Sequence, residues 1–240
     1  MAKVAVKSTR VYLDEFDLSG SLTAWDMSVE QELPDVTAIS DAGPRRLTGN
    51  YDEQDSLLGL FEPEAGAIDD ILHALIDADD HYLLKALGTT EGDPVYEAIV
   101  RLMRKPLSGK VGGAVLLNLE AQGTGGSYRG VILRTAAVSG AGNGTGQNLG
   151  ATTTGQELRV TYRVVAFNGT NITLTIEESQ NDGSPDTYAA ISGLTQQFTA
   201  VGVAVDSTTA ATEAWKRVAV TGTFTTATIL VTIGTVQGTD

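Results

Sequence analysis

A two-residue period constrains this chain more than any other feature. Between residues 157 and 167, Leu158, Val160, Tyr162, Val164 and Ala166 alternate with Arg159, Thr161 and Arg163. Such alternation sends successive side chains to opposite faces of a pleated strand, so this run predicts a half-buried strand with the charged residues facing water. The same period recurs at residues 171–178, where Ile172, Leu174 and Ile176 alternate with Thr173, Thr175 and Glu177. The Asn168-Gly169 pair between the two runs is a tight-turn signal, and together they predict an antiparallel hairpin. Residues 216–220 and 227–233 predict a further pair, with Ile229, Val231 and Ile233 on one side.

Threonine usage points the same way. Residues 1–120 contain 6 threonines and residues 121–240 contain 24, and a β-branched side chain favours the pleated backbone. The second half is therefore expected to be nearly all β. Strands are also expected at residues 11–16 and 24–30, around a Ser19-Gly20 turn, and at 95–103, 114–120 and 128–136. One interruption has a helical period: Ile68, Ile71, Leu72, Leu75 and Ile76 form an apolar stripe, with Asp69 and Asp70 in the first turn where the helix dipole favours acids. It predicts one amphipathic helix over about residues 67–78. The glycine-rich, uncharged stretch at 139–156 precedes a strand rather than a helix, so it predicts a mobile loop, ordered on assembly, and not a phosphate cradle. The whole chain, 1–240, reads as a single mainly β domain.

Charge excludes one class of partner. The formal charge is −14, and residues 1–120 carry 22 acids against 10 bases while residues 121–240 carry 8 against 6. Between residues 62 and 80 there are seven carboxylates and no Lys or Arg. Tight binding of nucleic acid needs clustered cations to displace counterions, and this chain lacks them. No cysteine is present, so disulfides and thiol chemistry are excluded. No apolar run approaches a membrane span, and no export signal is visible, so the chain reads as soluble.

Catalytic groups are equally sparse. His73 and His81 have no partner spacing for zinc and read as surface or capping residues. Asp77, Asp79 and Asp80 form an acidic group without the glycine and distal Glu of a calcium loop. No nucleophile elbow is present. Trp25 and Trp215 lie in alternating segments where a core position is expected, which leaves little aromatic surface for sugars. The sequons at Asn143, Asn168 and Asn171 read as chance. No catalytic residue, metal or cofactor is expected.

The segment at residues 35–49, DVTAISDAGPRRLTG, mixes β-formers, turn residues and paired arginines after an alternating strand. It reads either as an arm that leaves its own domain, spanning about residues 31–50, or as an ordinary hairpin folded on it. Three stretches carry a resemblance: VYLDEFDLSG at 11–20, AWDMSVEQEL followed by DVTAISDAGPRRLTGNYD, and the C-terminal WKRVAVTGTFTTATILVTIG. Together they resemble the tail tube, or major tail, proteins of long-tailed bacteriophages, loosely over the whole length; the glycine-rich middle departs from that pattern.

The resemblance implies an antiparallel β-sandwich or barrel-like tail tube fold with one flanking helix and long inter-subunit loops. It implies self-assembly into stacked, hexameric rings, contacts with other tail proteins, and a channel through which viral DNA passes without specific binding. The location implied is the virion tail, assembled in the bacterial host cytoplasm. It also gives the arm a role: Asp35, Val36, Thr37, Ile39, Asp41, Arg45, Arg46 and Leu47 become the candidate assembly interface, with both arginines offered to carboxylates of a neighbouring subunit. A β-sandwich carbohydrate-binding or host-attachment module, or a capsid decoration protein, is the alternative.

Overall fold

The computed structural model describes residues 9–31, 33, 35–37, 43–46, 51–62, 64, 67–76, 80–109, 111 and 113–236. Its elements in chain order are β1 (Arg10–Leu13), β2 (Phe16–Asp17), β3 (Leu22–Gln31), β4 (Tyr51–Leu60), α1 (Ile68–Leu75), β5 (His81–Ala86), β6 (Pro94–Arg104), β7 (Leu107–Gly109), β8 (Val115–Val138), β9 (Gly142–Asn143), β10 (Gln147–Asn148), β11 (Leu158–Ser179), β12 (Ala189–Phe198), β13 (Gly202–Thr208) and β14 (Trp215–Val236). The fold is mainly β, its resolved strand pairs are antiparallel, and one helix flanks them, as the periodicity predicts. The chain divides into two compact units. Unit 1 takes the residues up to Ser19, Tyr82–Glu97 and the residues from Tyr128 onward, and unit 2 takes Gly20–His81 and Ala98–Ser127.

Unit 1 is organised by two very long strands. β11 and β14 pair antiparallel over their whole lengths, from Leu158 opposite Thr235 to Ser179 opposite Trp215. The outer edge of β11 is shared by β13, along residues 158–164, and β12, along residues 172–178. The outer edge of β14 is shared by β8, with Val236 opposite Tyr128, and by β9 and β10. The even-numbered residues of β11 from Leu158 to Val164 and from Ile172 to Ile176 pack with Val218, Val220, Ile229, Val231 and Ile233 of β14 in one apolar core. A smaller core of Leu84, Ala86, Val95, Ile132 and Leu230 also forms in unit 1.

The expected hairpin at Asn168-Gly169 is not there. β11 runs from Leu158 to Ser179 as one strand, and the two expected C-terminal strands also join into one. The glycines mark irregular pairing and close approach instead. The register shifts at Asn168/Gly169 and again at Gly169/Asn171. A Cβ on Gly169 would lie 2.4 Å from the Phe224 Cα, and one on Gly222, whose φ is +124°, would lie 2.5 Å from the Asn171 carbonyl oxygen. A turn signal and a bulge signal share the same residues, and here the uninterrupted partner strand selects the bulge. Likewise the two strands expected at 114–120 and 128–136 are one, β8. Residues 11–16 and 24–30 do not pair with each other, because β1 pairs with β2 and β5.

The glycine-rich stretch at 139–156 is held by ladder pairing rather than left loose. Asn143 and Gly142 pair with Ala219 and Val220, Gln147 and Asn148 pair with Lys216 and Trp215, and Thr152 bridges Thr212. Two side chains, Arg134 from β8 and Gln147 of the stretch itself, fasten it. Arg134 Nη1 donates to the carbonyls of Val218 at 2.9 Å and Gly142 at 3.3 Å, and Gln147 Nε2 donates to the Leu133 carbonyl at 2.7 Å.

Unit 2 carries the antiparallel β3–β4 pair, which runs from Leu22 opposite Gly59 to Gln31 opposite Tyr51 with a register shift between Leu22 and Ala24. β8 pairs with the other edge of β4, with Leu57 opposite Leu119. Leu57, Leu117, Leu119 and Ala121 are buried, as are Ile68 and Leu72 of α1. The helix spans Ile68–Leu75, shorter at the far end than the expected 67–78, whose residues 77 and 78 lie outside the described residues. Lys105 Nζ holds its first turn, donating to Asp69 Oδ1 at 2.6 Å and to the Asp69 carbonyl at 2.9 Å.

Candidate assembly surface and a buried polar cluster

β3 is a ten-residue strand open along one edge. It pairs with β4 alone, its ten residues LTAWDMSVEQ include no Lys, Arg or Pro, and all nine whose burial is described are exposed or half-exposed. An edge of this length offers a row of backbone donors and acceptors to any strand that can lie beside it, and natural edges are usually guarded by lysine, proline or a bulge. Trp25, Met27 and Val29 share one face, opposite the buried Leu57, Asp55 and Glu53 of β4. Val29 is 43% exposed and Trp25 and Met27 are half-buried. Trp25 is thus not a core residue, and neither is the half-buried Trp215.

Five of the eight candidate interface residues, Asp35, Val36, Thr37, Arg45 and Arg46, are described, and all five are exposed. Asp35 bridges Arg46 in antiparallel fashion, the Val36 N–H donates to the Arg45 carbonyl at 2.9 Å, and the Arg45 N–H donates to Thr37 Oγ1 at 2.8 Å. The two ends of the segment are therefore laced to each other. Hydrogen bonds from the Thr37 hydroxyl and from its backbone N–H, the latter at 2.9 Å, hold the Asp35 carboxyl below the ordinary range. Ile39, Asp41 and Leu47 lie outside the described residues.

The acidic group at 77–80 is represented by Asp80 alone. It accepts from Arg101 Nε at 2.8 Å and from Thr124 Oγ1 at 3.1 Å, and the Arg101 bond chiefly lowers its pKa. Among the described residues no group of three His, Cys, Asp or Glu could hold a metal. His73 is exposed, and His81 is buried with Nε2 3.0 Å from the Leu75 carbonyl, at the C-terminal end of α1. A cleft of about 300 Å³ in unit 1 is lined by Arg129, Gly130, Lys216 and Gly234 among others. Its buried cation is engaged internally, because Lys216 Nζ donates to the carbonyls of Gly150, at 2.9 Å, and Glu213. No helix of the described residues is long and apolar enough to cross a membrane.

A buried polar cluster of unit 1 lies where sequence reasoning placed solvent. Thr161 and Arg163, expected on a wet face of β11, are 1% and 0% exposed, because both faces of the strand are covered. Arg163 Nη2 lies 2.5 Å from Glu97 Oε1, in an ion pair almost without solvent. Glu97 Oε2 accepts from Thr232 Oγ1 at 2.6 Å and from the Tyr128 hydroxyl at 2.7 Å, and that hydroxyl lies 3.1 Å from Thr161 Oγ1. Burial, then the Glu97 carboxylate, push the Tyr128 phenol far above its ordinary pKa, so it stays protonated and donates. Arg163 also donates from Nε to the Asp14 carbonyl at 2.8 Å and from Nη2 to the Tyr82 carbonyl at 3.0 Å. The only signal in the sequence was an arginine flanked by apolar residues on both sides.

No protein-family profile matches the chain, and no curated protein matches it. Among solved structures it is similar to a chain of the virion of a native gene transfer agent particle, at 18% identity and TM-score 0.41, over 52% of this chain and 97% of that one. It is similar at 18% identity and TM-score 0.40 to a chain in the tail of an empty gene transfer agent particle refined with C6 symmetry, with the same coverage. It is also similar to the SPP1 Dit (gp 19.1) protein, a hub adsorption apparatus protein of phages infecting Gram-positive bacteria, at 10% identity and TM-score 0.37, over 95% of this chain and 98% of that one. These are low-score likenesses at low identity, and they place the chain in no family.

Proposed function

We propose that the protein is a non-enzymatic structural subunit of a phage tail tube, which polymerises as stacked, hexameric rings and serves as a conduit for genome delivery. The observation that carries the reading is the open edge of β3, a ten-residue strand paired on one side. Its apolar stripe is half-exposed, and beyond the register shift between Leu22 and Ala24 it carries no lysine, arginine or proline to guard it. A second copy adding a strand there would satisfy the open backbone groups and cover Trp25, Met27 and Val29, each worth roughly 1 kcal/mol as a part of its full burial value.

The exposed arm continues from the end of this edge strand and supports a second contact, between rings, in which Arg45 and Arg46 meet carboxylates of the next subunit. A head-to-tail contact of that kind does not close and so propagates along a tube. The net charge of −14 suits a channel wall that does not retain phosphates. Both compact units belong to the one tail tube domain, which assembles in the bacterial host cytoplasm alongside other tail proteins.

Negative-stain electron microscopy of the purified chain at high concentration tests this. Six-fold rings or tubes with a central channel are the expected result. Discrete monomers or trimers that bind glycans would overturn it in favour of a carbohydrate-binding module.

A further inference from the structure

We infer that the Arg163 cluster is a clasp that fixes the ends of unit 1 where the chain leaves and re-enters it, so that loosening of unit 2 stops at this layer. The chain passes between units after Ser19, before Tyr82, after Glu97 and before Tyr128. Three of the residues at these passages, Tyr82, Glu97 and Tyr128, are the groups that the cluster holds. Arg163 binds the Glu97 carboxylate and the Tyr82 carbonyl, and Glu97 in turn binds the Tyr128 hydroxyl. The fourth passage is reached through the β1–β2 turn. Arg163 Nε holds the Asp14 carbonyl, Asp14 and Tyr82 bond reciprocally, with the Asp14 N–H donating to the Tyr82 carbonyl at 3.0 Å and the Tyr82 N–H donating to the Asp14 side-chain Oδ1 at 2.8 Å, and Leu18 N–H donates to the Val11 carbonyl at 2.9 Å.

β6 runs on past Glu97 and β8 runs in ahead of Tyr128 as unbroken strands, so opening that starts in unit 2 can travel along them, each opened residue exposing the next. A buried ion pair at the passage opposes that spread, since opening Glu97 or Tyr128 leaves a charge or a hydroxyl without its partner in an apolar surrounding. The hydrogen-bonded network also joins strands far apart in sequence, from Asp14 to Thr232, so no single strand can be withdrawn alone. Apolar residues at these positions would hold the layer together but would let its strands yield one at a time.

Native-state hydrogen exchange on the full chain tests the clasp through a pair of substitutions. Leu119→Ala loosens unit 2, where Leu119 is buried opposite Leu57. In the wild-type background it should speed exchange at residues 54–60 and 116–121 and leave residues 82–86, 94–97 and 128–133 unchanged. In an Arg163→Met background the same Leu119→Ala change should speed exchange at those unit 1 amides on the order of tenfold or more, beyond the effect of Arg163→Met alone. A purely structural arginine would give additive effects, and additivity within about twofold would overturn the proposal. Should Arg163→Met not fold, Thr232→Val removes one bond onto Glu97 and carries the same comparison, with the coupling again expected at the passage residues and its absence overturning the clasp.

Discussion

β14 and β3 follow the same two-residue alternation, yet they meet opposite fates. β14 has neighbours along both edges, apolar packing on one face and the Glu97–Arg163 cluster on the other. β3 has one neighbour and is open to solvent along most of its length. The pattern of residues along a strand says which side chains share a face; the number of neighbouring strands decides whether a face or an edge is dry. In β14 a threonine can therefore become a buried hydrogen-bond donor, whereas in β3 a tryptophan stays half in water.

Breaking the enclosed side of this comparison should have the largest effect. Arg163→Met or Glu97→Gln leaves its former partner buried without its counter-charge, and denaturant unfolding should show a loss of about 3–5 kcal/mol. The double change Glu97→Gln with Arg163→Met should recover part of it. Close packing gives the next effect. A Cβ on Gly234 would sit 2.5 Å from Tyr128 Cδ2 and 2.8 Å from the Arg129 carbonyl oxygen. Gly234→Ala should therefore lower stability by about 1–3 kcal/mol, measured the same way.

Those two losses concern features of unequal visibility. The even-numbered alternation of β11 and the 3.6-residue stripe of α1 are plain in the sequence because they record the face that is apolar. Arg163 and Thr161 were hidden, since an alternating strand with polar residues on its second face reads as half-buried even when that face is covered by a further layer. The lengths of β8, β11 and β14 were hidden for a different reason. Glycine serves turns and bulges alike, and only the partner strand distinguishes them. Of the candidate interface, sequence singled out the segment after β3 but passed over β3 itself, because its apolar stripe looked like core until the missing second neighbour was known.

On the open side, effects should fall on assembly more than on folding. Trp25→Lys places a charge on a half-exposed position of the edge, so monomer stability should change by less than about 1 kcal/mol. Sedimentation should nevertheless show self-association abolished, and polymerisation equal to wild type would remove β3 from the contact. Arg45→Glu with Arg46→Glu touches exposed residues and should leave the unfolding midpoint unchanged while impairing tube growth. Rings that still form but no longer stack would separate the two contacts.

The smallest effect contrasts two carboxylates. Burial raises the Asp206 pKa, against a hydrogen bond from Gln196 Nε2 at 2.7 Å. The folded state thus holds that proton to higher pH than the unfolded chain. Between the ordinary and the raised value it binds more proton than the unfolded state, so the stability contributed by Asp206 falls as pH rises through that window. Asp206→Asn should flatten this part of the stability profile and be neutral or slightly stabilising at pH 7. Asp93, whose pKa is lowered by hydrogen bonds from the Thr90 N–H and hydroxyl, has the opposite sign. Its contribution is present above the ordinary carboxyl pKa and is lost as pH falls through the lowered one.

The uninterrupted passage of β11 through Asn168 and Gly169 also bears on how the chain ages. An asparagine followed by glycine loses its side-chain amide most readily where a loose backbone lets the glycine nitrogen fold onto the side-chain carbonyl. Here Asn168 is held extended opposite Thr226, its carbonyl accepting from Thr225 Oγ1 at 3.0 Å. The second such pair, Asn143-Gly144, is restrained too, with the Gly144 N–H bound to the Val218 carbonyl at 2.8 Å. Both deamidation-prone bonds are thereby stiffened, which should slow the loss of their side-chain amides.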